Sequence, residues 1–300
     1  GLSANTGQAM GTAINAALTA TFIGLKIGLF TGAGRHYSGK IVFSDLGLEQ
    51  GNFDVISPCA NRLDINHLLS RLPQRSKDAH KGDHGHVMLI GGDLAYGGAI
   101  ILAASASARM GAGLTTVITQ DAHRLALLNA LPEVMVFTSQ SMQTIEQQLG
   151  KADVIVIGPG LGQSAWSEKM LLAALNSGKK LVIDADALNL LSGKFSTVFS
   201  HNSFEDNTHI FTPHPGEAAR LLDSSTVEIQ EDRVAAVKAL QKKWGGNMLL
   251  KGSGSLICAS NETLSLCPYG NPRIARGAMV DVLSGLLGGL LAQKLEPTCV

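Results

Sequence analysis

The sequence of 300 residues has only four cysteines, and none of them forms a CxxC pair or has a histidine at metal-ligand spacing. They are scattered along the chain as Cys59, Cys258, Cys267 and Cys299. Disulfide frameworks and zinc modules both need closely spaced cysteines. The pattern argues against both classes, and we expect a cytoplasmic protein in a reducing compartment.

The sequence also lacks an excess of either charge and any long apolar run. Lys and Arg together number 24, as do Asp and Glu, so the formal net charge is zero. Proteins that bind nucleic acid through its phosphates need a basic surface, and we expect no nucleic-acid partner. The most apolar stretch near the start, residues 16–30, is interrupted by Gly24 and Lys26 and is too short to span a bilayer. We expect no membrane association.

Aromatic residues make up only 5% of the chain, whereas glycine occurs 34 times. An apolar content of 45% against 16% charged residues is typical of a globular protein, so we expect an aliphatic core packed around small residues. No GxxxxGK[ST] motif is present, which excludes a P-loop.

From Val87 onward, short apolar runs alternate with segments that have helical periodicity. The runs predict buried strands, and they are VMLIGG, LTTVITQ, ADVIVIGPGLG, LVIDAD and HIFTPHPG. This alternation predicts an α/β fold with a mostly parallel central sheet and helices on both faces. Ligands of such sheets bind beyond the carboxyl ends of the strands, so we expect the glycine-rich loops that follow the strands to lie along one edge.

Two glycine-rich segments are candidate ligand contacts, and each also has a purely structural interpretation. The residues Gly97-Gly98-Ala99 open a predicted helix whose N–H groups suit an anion, but small residues also permit close helix–sheet packing. The glycines of 158–162 precede Asp184 much as in a dinucleotide fingerprint. Their spacing differs from GxGxxG, and Pro159 occupies the first variable position. We favour the wall of a substrate pocket.

Three further segments carry ionisable groups. His214 stands between two prolines and just before Glu217 at a predicted helix start, where an ordinary loop histidine and a helix-dipole partner are the alternatives. The loop at 251–255 offers a lysine, two hydroxyls and exposed amides to a phosphate or ribose, or is a flexible hairpin with a solvated lysine. Asp281 opens a predicted helix as a capping residue or as a general base.

The first part of the chain has a different pattern of predicted elements. Within residues 1–52, LTATFIGLK and GKIVFSDLG predict two strands joined by a glycine-rich turn, too few elements to bury a core alone. Residues 53–75 contain two prolines and read as a linker, and residues 76–300 as the main domain.

Taken in order, these segments resemble the carbohydrate-kinase-like domain of the NAD(P)H-hydrate dehydratases. The matching stretches are KGDHGHVMLIGG, GPGLG, DADALNLL, TPHPGEAARLL, LKGSGS and GNPRIARGAMVDVLSGLLGGLLAQ. Residues 1–52 are similar to the last strands of the NAD(P)H-hydrate epimerase domain, which precedes the dehydratase in the bifunctional repair enzyme. The resemblance implies a ribokinase-like layered fold with a short N-terminal β-rich remnant, a chain that stops before the family's closing helices, and a homo-oligomer.

The resemblance also implies a function and roles for individual residues. The implied reaction is the dehydration of (S)-NAD(P)H hydrate to NAD(P)H at the expense of ADP, with Mg²⁺, giving AMP and phosphate. Asp281 is the implied base and also contacts the substrate, and Glu217 would position Mg²⁺ through water. The implied substrate contacts are Ala99, Gly160, Gly162 and His214, and the implied nucleotide contacts are Lys251, Gly252, Ser253, Gly254, Ser255, Gly277 and Val280.

Val280 departs from the family pattern, which has glycine directly before the catalytic aspartate and usually another where Ala278 stands. If φ is positive there, a valine is strained by about 1–3 kcal/mol. If φ is negative, the isopropyl group crowds an amide that should face the phosphoryl group. We expect an intact fold and impaired turnover.

Three alternatives stay open. A ribokinase-like kinase acting on a vitamin-type alcohol would release a stable phosphorylated product. A nucleotide-binding protein impaired in catalysis by Val280 would bind ADP or AMP without turnover. A Rossmann oxidoreductase would transfer hydride.

Overall fold

The computed structural model describes residues 1–49, 51, 56–72, 76, 78, 80–138, 141–196, 204, 208–270 and 278–297. The strands in these ranges are β1 (Leu18–Phe22), β2 (Lys40–Ser44), β3 (Asn61–Arg62), β4 (His86–Ile90), β5 (Leu114–Ile118), β6 (Met135–Phe137), β7 (Val154–Ile157), β8 (Lys180–Ile183), β9 (Ile210–Phe211), β10 (Asn247–Leu250), β11 (Ser255–Cys258) and β12 (Leu264–Cys267). The helices are α1 (Gly34–Tyr37), α2 (Ile65–Leu69), α3 (Gly97–Met110), α4 (Arg124–Ala130), α5 (Met142–Leu149), α6 (Ala165–Leu175), α7 (Ala185–Ser192), α8 (Pro215–Leu222), α9 (Thr226–Glu231), α10 (Arg233–Trp244) and α11 (Ala278–Ala292).

Ten strands form one sheet in the order β3-β12-β11-β10-β9-β8-β7-β4-β5-β6. All neighbours from β10 to β6 are parallel, and β11 runs antiparallel to β10 and β12. The predicted mostly parallel sheet is confirmed. The parallel strands end at one edge, which collects the loops that follow β4, β7, β8, β9 and β10.

Successive residues of the central strands pack into separate cores on the two faces of the sheet. In β7, Ile155 and Ile157 join one apolar cluster, whereas Val154 and Val156 join the other. Leu171 of α6 and Leu240 of α10 belong to the first cluster. The second cluster includes residues of α3 and α11. Helices therefore cover both faces, as the alternating sequence pattern predicts.

Glycines of α11 let this helix approach α3 and the sheet closely. A Cβ on Gly285 would stand 2.1 Å from the carbonyl oxygen of Ala103, and one on Gly288 would stand 2.4 Å from Cγ2 of Val156. Neither position has room for a larger residue. This packing fixes α11 and therefore the end of it that carries Asp281.

The N-terminal strands pair differently from the expectation. β1 and β2 are parallel, with Leu18 opposite Lys40 and Phe22 opposite Ser44, and α1 lies between them. The predicted glycine-rich turn is wrong, because parallel strands need a crossover rather than a tight turn. β3, which falls within the predicted linker, pairs with β12 at the edge of the main sheet. Among the described residues, no helix is long and apolar enough to cross a membrane.

Candidate active site

The loop after β10 places the ammonium group of Lys251 between two acidic side chains. Its Nζ lies 2.7 Å from Oδ1 of Asp184 and 3.8 Å from Oε2 of Glu217. The side chain of Lys251 is only 12% exposed, and that of Asp184 is fully buried. Solvent screens such a pair weakly, and losing one partner would leave an uncompensated buried charge. Lys251 is therefore held in a fixed place at the carboxyl edge of the sheet.

Asp184 joins three parts of the chain through one carboxylate. It follows β8 directly and caps α7, where Oδ1 accepts the amide of Ala185 at 2.8 Å. The same oxygen pairs with Lys251, and Oδ2 accepts the hydroxyl of Ser284 in α11. These donors supply the hydrogen bonds that a buried carboxylate needs. As a result, β8, the loop after β10 and α11 are linked at one point.

Asp281 lies in the first turn of α11, three residues before Ser284, so both side chains project from the same face of the helix. Burial, followed by the negative charge of Asp184, raises the pKa of Asp281 to about 6; Lys251 opposes this and Asp186 adds to it. These charges act on Asp281 because Asp184, Asp186 and Lys251 lie near it at the carboxyl edge of the sheet. A carboxyl group with this pKa is suited to accept a proton near neutral pH.

His214 and Glu217 form a capping box at the start of α8. Nδ1 of His214 accepts the amide of Gly216 at 2.9 Å, and the His214 amide donates to Oε2 of Glu217 at 2.7 Å. The proton of a neutral imidazole is then on Nε2, which lies 3.3 Å from Oε1 of Glu217. Burial, together with the nearby charge of Lys251, lowers the pKa of His214, and burial raises the pKa of Glu217 to about 7. At neutral pH the imidazole is therefore uncharged.

The residues predicted to line the substrate pocket lie where the loop after β7 meets the start of α3. Gly160 has a φ of +58°, and a Cβ there would stand 2.5 Å from the carbonyl oxygen of Tyr96 and 3.0 Å from Cβ of Ala99. Gly162 has a φ of +69° and donates its amide to Oδ2 of Asp186 at 2.9 Å. Only glycine suits such positions. The structure thus brings together Ala99, Gly160 and Gly162.

The loop at 251–255, called here the glycine–serine loop, turns at two glycines. Gly252 has a φ of +143° and Gly254 a φ of +67°. The first amide of the loop donates to the carbonyl of Pro213 at 2.9 Å, which places the loop beside the His214 segment. Within the described ranges, the amides of Gly252 and Ser253 donate to no carbonyl or side chain, and both residues are exposed. These amides are available to an anion.

Val280 lies within α11, which begins at Ala278. Val280 is not among the described residues with a positive φ. The left-handed alternative is therefore wrong, because the helix starts two residues before the valine. The carbonyl of Val280 accepts the hydroxyl of Ser284 at 3.2 Å. Gly277 lies outside the described residues, so its predicted contact stays a prediction.

A role in positioning Mg²⁺ through water stays a prediction for Glu217. Its carboxylate oxygens face His214 and Lys251, and the described part of the chain contains no group of three or more side chains that could hold a metal ion. Protein-bound Mg²⁺ usually keeps several waters and relies on substrate phosphates. These side chains do not fit a resident Mg²⁺, so the ion would arrive with a phosphate-bearing ligand.

Sequence reasoning assigned no role in the site to several residues that hold it together. Asp184 directly follows a buried strand, and Ser284 stands three residues after Asp281, so position and helical spacing could have identified both. Arg233 and Thr31, which contact each other near the glycine–serine loop, carry no local signal. Only the folded chain reveals their role.

Comparisons with known proteins agree with this arrangement. Residues 87–299 match the family described as NAD(P)H-hydrate dehydratase (Carb_kinase). The chain is 43% identical over 296 residues to the bifunctional NAD(P)H-hydrate repair enzyme Nnr of Coxiella burnetii, covering 99% of this chain and 59% of that protein. It is 36% identical over 224 residues to the ADP-dependent (S)-NAD(P)H-hydrate dehydratase of Streptococcus pneumoniae, covering 73% of this chain and 75% of that protein.

A solved structure supports the fold. A ribokinase-like superfamily protein from Enterococcus faecalis aligns with a TM-score of 0.72 and 34% identity, covering 79% of this chain and 82% of that chain. The predicted ribokinase-like fold is confirmed. The chain spans less than two thirds of the length of the Coxiella protein. Because the family match extends over most of the chain, this chain belongs to the NAD(P)H-hydrate dehydratase family.

Proposed function

We propose that this chain dehydrates (S)-NAD(P)H hydrate to NAD(P)H at the expense of ADP, releasing AMP and phosphate. The observation that carries the proposal is the shared cleft of Asp281, with a pKa of about 6, and the fixed ammonium group of Lys251. A carboxylate that takes a proton beside a cation that neutralises phosphate charge suits phosphoryl transfer to a hydroxyl group.

The reaction replaces a poor leaving group, hydroxide, by a good one, phosphate. Asp281 takes the proton of the added hydroxyl group while the oxygen of that hydroxyl group bonds to the terminal phosphorus of ADP. AMP departs with the electrons of the broken P–O bond. Phosphate then leaves with the electrons of the C–O bond, the neighbouring carbon gives a proton to water, and the electrons of that C–H bond form the ring double bond. Most of the protein's contribution is positioning and charge neutralisation.

Each part of the site has a place in this scheme. Lys251 and the available amides of the glycine–serine loop would hold the phosphates of ADP. The amides in the first turn of α11 have no partner within the helix and would stabilise the transferred phosphoryl group. The neutral His214 and the wall at Ala99 and Gly160 would bind the hydrated nicotinamide. Mg²⁺ supplies additional neutralisation of phosphate charge when it is bound with ADP.

The reaction is tested by adding Mg²⁺ and ADP to hydrated NADH and following both the dihydronicotinamide absorbance and AMP. We expect both to rise together, and we expect Asp281→Asn to lower kcat by about 10²–10⁴-fold, because the proton acceptor is lost. Asp45→Asn, a carboxylate in the N-terminal segment, is the control and should match the parent. AMP without NADH, with a stable phosphorylated product, would favour a small-molecule kinase instead.

The pH profile of kcat/KM should report the ionisation of Asp281, because this ratio follows the ionisable groups of the free enzyme. Because the base must be deprotonated, and because burial and Asp184 raise its pKa, kcat/KM should fall tenfold per pH unit below about pH 6. Asp186→Asn keeps an acceptor oxygen for Gly162 but removes a negative charge that raises this pKa, so the acid limb should move to lower pH. An acid limb near pH 4 in the parent, as for an ordinary aspartate, would show that Asp281 is not the base.

Val280 favours a second candidate function, a nucleotide-binding protein with impaired turnover. Helical Cα–Cβ bonds tilt toward the N-terminus, so the isopropyl group leans toward the end of α11 where an anion would bind. We expect Val280→Gly to raise kcat by at least about tenfold, since a recovered oxyanion donor is worth this much or more. Val282→Gly controls for the lost helix stability and should not raise kcat. Equal rates for Val280→Gly and the parent would reject the hypothesis that the Val280 side chain crowds the anion-binding end of α11.

A further inference from the structure

The N-terminal segment contacts the glycine–serine loop along its backbone. The amide of Gly32 donates to the carbonyl of Ser253 at 2.9 Å, and the hydroxyl of Thr31 donates to the carbonyl of Gly254 at 3.2 Å. A Cβ on Gly254 would stand 1.9 Å from the carbonyl oxygen of Phe30, so the two chains lie in direct contact. The segment therefore occupies the carbonyl side of the loop and leaves its outward amides available.

Arg233 connects the same segment to the base of the loop. Its side chain is fully buried. Nε donates to the hydroxyl oxygen of Thr31 at 3.1 Å, and Nη2 donates to the carbonyls of Leu250 at 3.3 Å and Lys251 at 3.2 Å. A Cβ on Gly252 would stand 2.9 Å from both terminal nitrogens. Across the described ranges, no carboxylate pairs with this guanidinium group.

The hydrogen bonds of Arg233 hold the backbone of the glycine–serine loop and the Thr31 hydroxyl in place. Removing a guanidinium group from water is costly unless its donors are used. Here the N–H groups of Arg233 donate to the backbone carbonyls of Leu250 and Lys251 and to the Thr31 hydroxyl. That hydroxyl accepts from Arg233 and donates to Gly254, which uses its donor and one of its acceptor sites. The loop is thus held by Arg233 at its start and by the N-terminal segment at Ser253 and Gly254.

We infer that Thr31 and Arg233 are positioning residues through which the N-terminal segment sets the affinity of the glycine–serine loop for ADP, an inference that rests on the proposed function. The loop turns at two glycines with positive φ, so without these contacts it has conformational freedom. The free-energy cost of ordering the loop when ADP binds would then weaken ADP binding. Thr31 contacts neither Asp281 nor the side chain of Lys251, and at saturating ADP the bound ligand orders the loop, so loss of the Thr31 hydroxyl should change ADP binding and leave kcat unchanged.

The test uses the whole chain and three variants. Thr31→Val removes the hydroxyl at nearly constant shape, and Thr31→Ser keeps it. Thr19→Val is the matched control, because Thr19 also donates to a backbone carbonyl within the N-terminal segment, that of Ser38 at 2.6 Å, but does not face the loop. ADP affinity is measured by calorimetry, and kcat and KM for ADP and for the hydrated cofactor are measured by steady-state kinetics.

Thr31→Val removes the hydrogen bonds to Gly254 and from Arg233, and it should raise Kd and KM for ADP by about five- to tenfold, the net effect of about one to two hydrogen bonds. We expect kcat and the KM of the hydrated cofactor to be unchanged. Thr31→Ser and Thr19→Val should bind ADP like the parent. Equal ADP affinity in Thr31→Val, or an equal loss in Thr19→Val, overturns the inference alone. A parent chain that binds no ADP overturns the proposed function as well. If Thr31→Val does not fold, Thr31→Ala removes the hydroxyl without placing a methyl group beside Arg233.

Discussion

The buried ion pair between Asp184 and Lys251 is the interaction on which the site depends. One carboxylate at the end of β8 accepts from the ammonium group that follows β10, from the first amide of α7 and from the hydroxyl of Ser284 in α11. Breaking a buried pair by removing one partner typically costs about 3–5 kcal/mol, a large share of the stability of about 5–15 kcal/mol that domains have. The geometry of the site and the stability of the fold therefore depend on the same contact.

This pair also sets the electrostatics of the cleft. Burial raises the pKa of Asp281, the negative charge of Asp184 raises it further and the positive charge of Lys251 opposes this, so the pKa is about 6. Glu217, buried beside the same lysine, has a pKa of about 7. Acidic groups whose environments differ in this way can take different roles at one pH. In the proposed reaction, Asp184 has a structural role, whereas Asp281 accepts the proton.

The sequence predicts the sheet and much of the site, because strand ends in a parallel sheet necessarily share an edge. Lys251, His214 and the glycines at 160 and 162 stand directly after apolar runs, so their convergence follows from the strand pattern alone. The positive φ that was one of two alternatives at Val280 is not found, because α11 begins two residues earlier, at Ala278. Thr31 and Arg233 are 202 residues apart, and no periodicity or spacing could join them. Contacts of that kind are decided by tertiary structure.

The most direct test of the central claim is a double-mutant cycle between Asp184 and Lys251, read from the free energy of unfolding. Lys251→Met alone should cost about 3–5 kcal/mol, because it leaves the carboxylate buried and unpaired. Adding Asp184→Asn should recover most of that loss, since the remaining amide carries no charge. Costs that simply add would show that the two side chains act independently, and they would contradict the account.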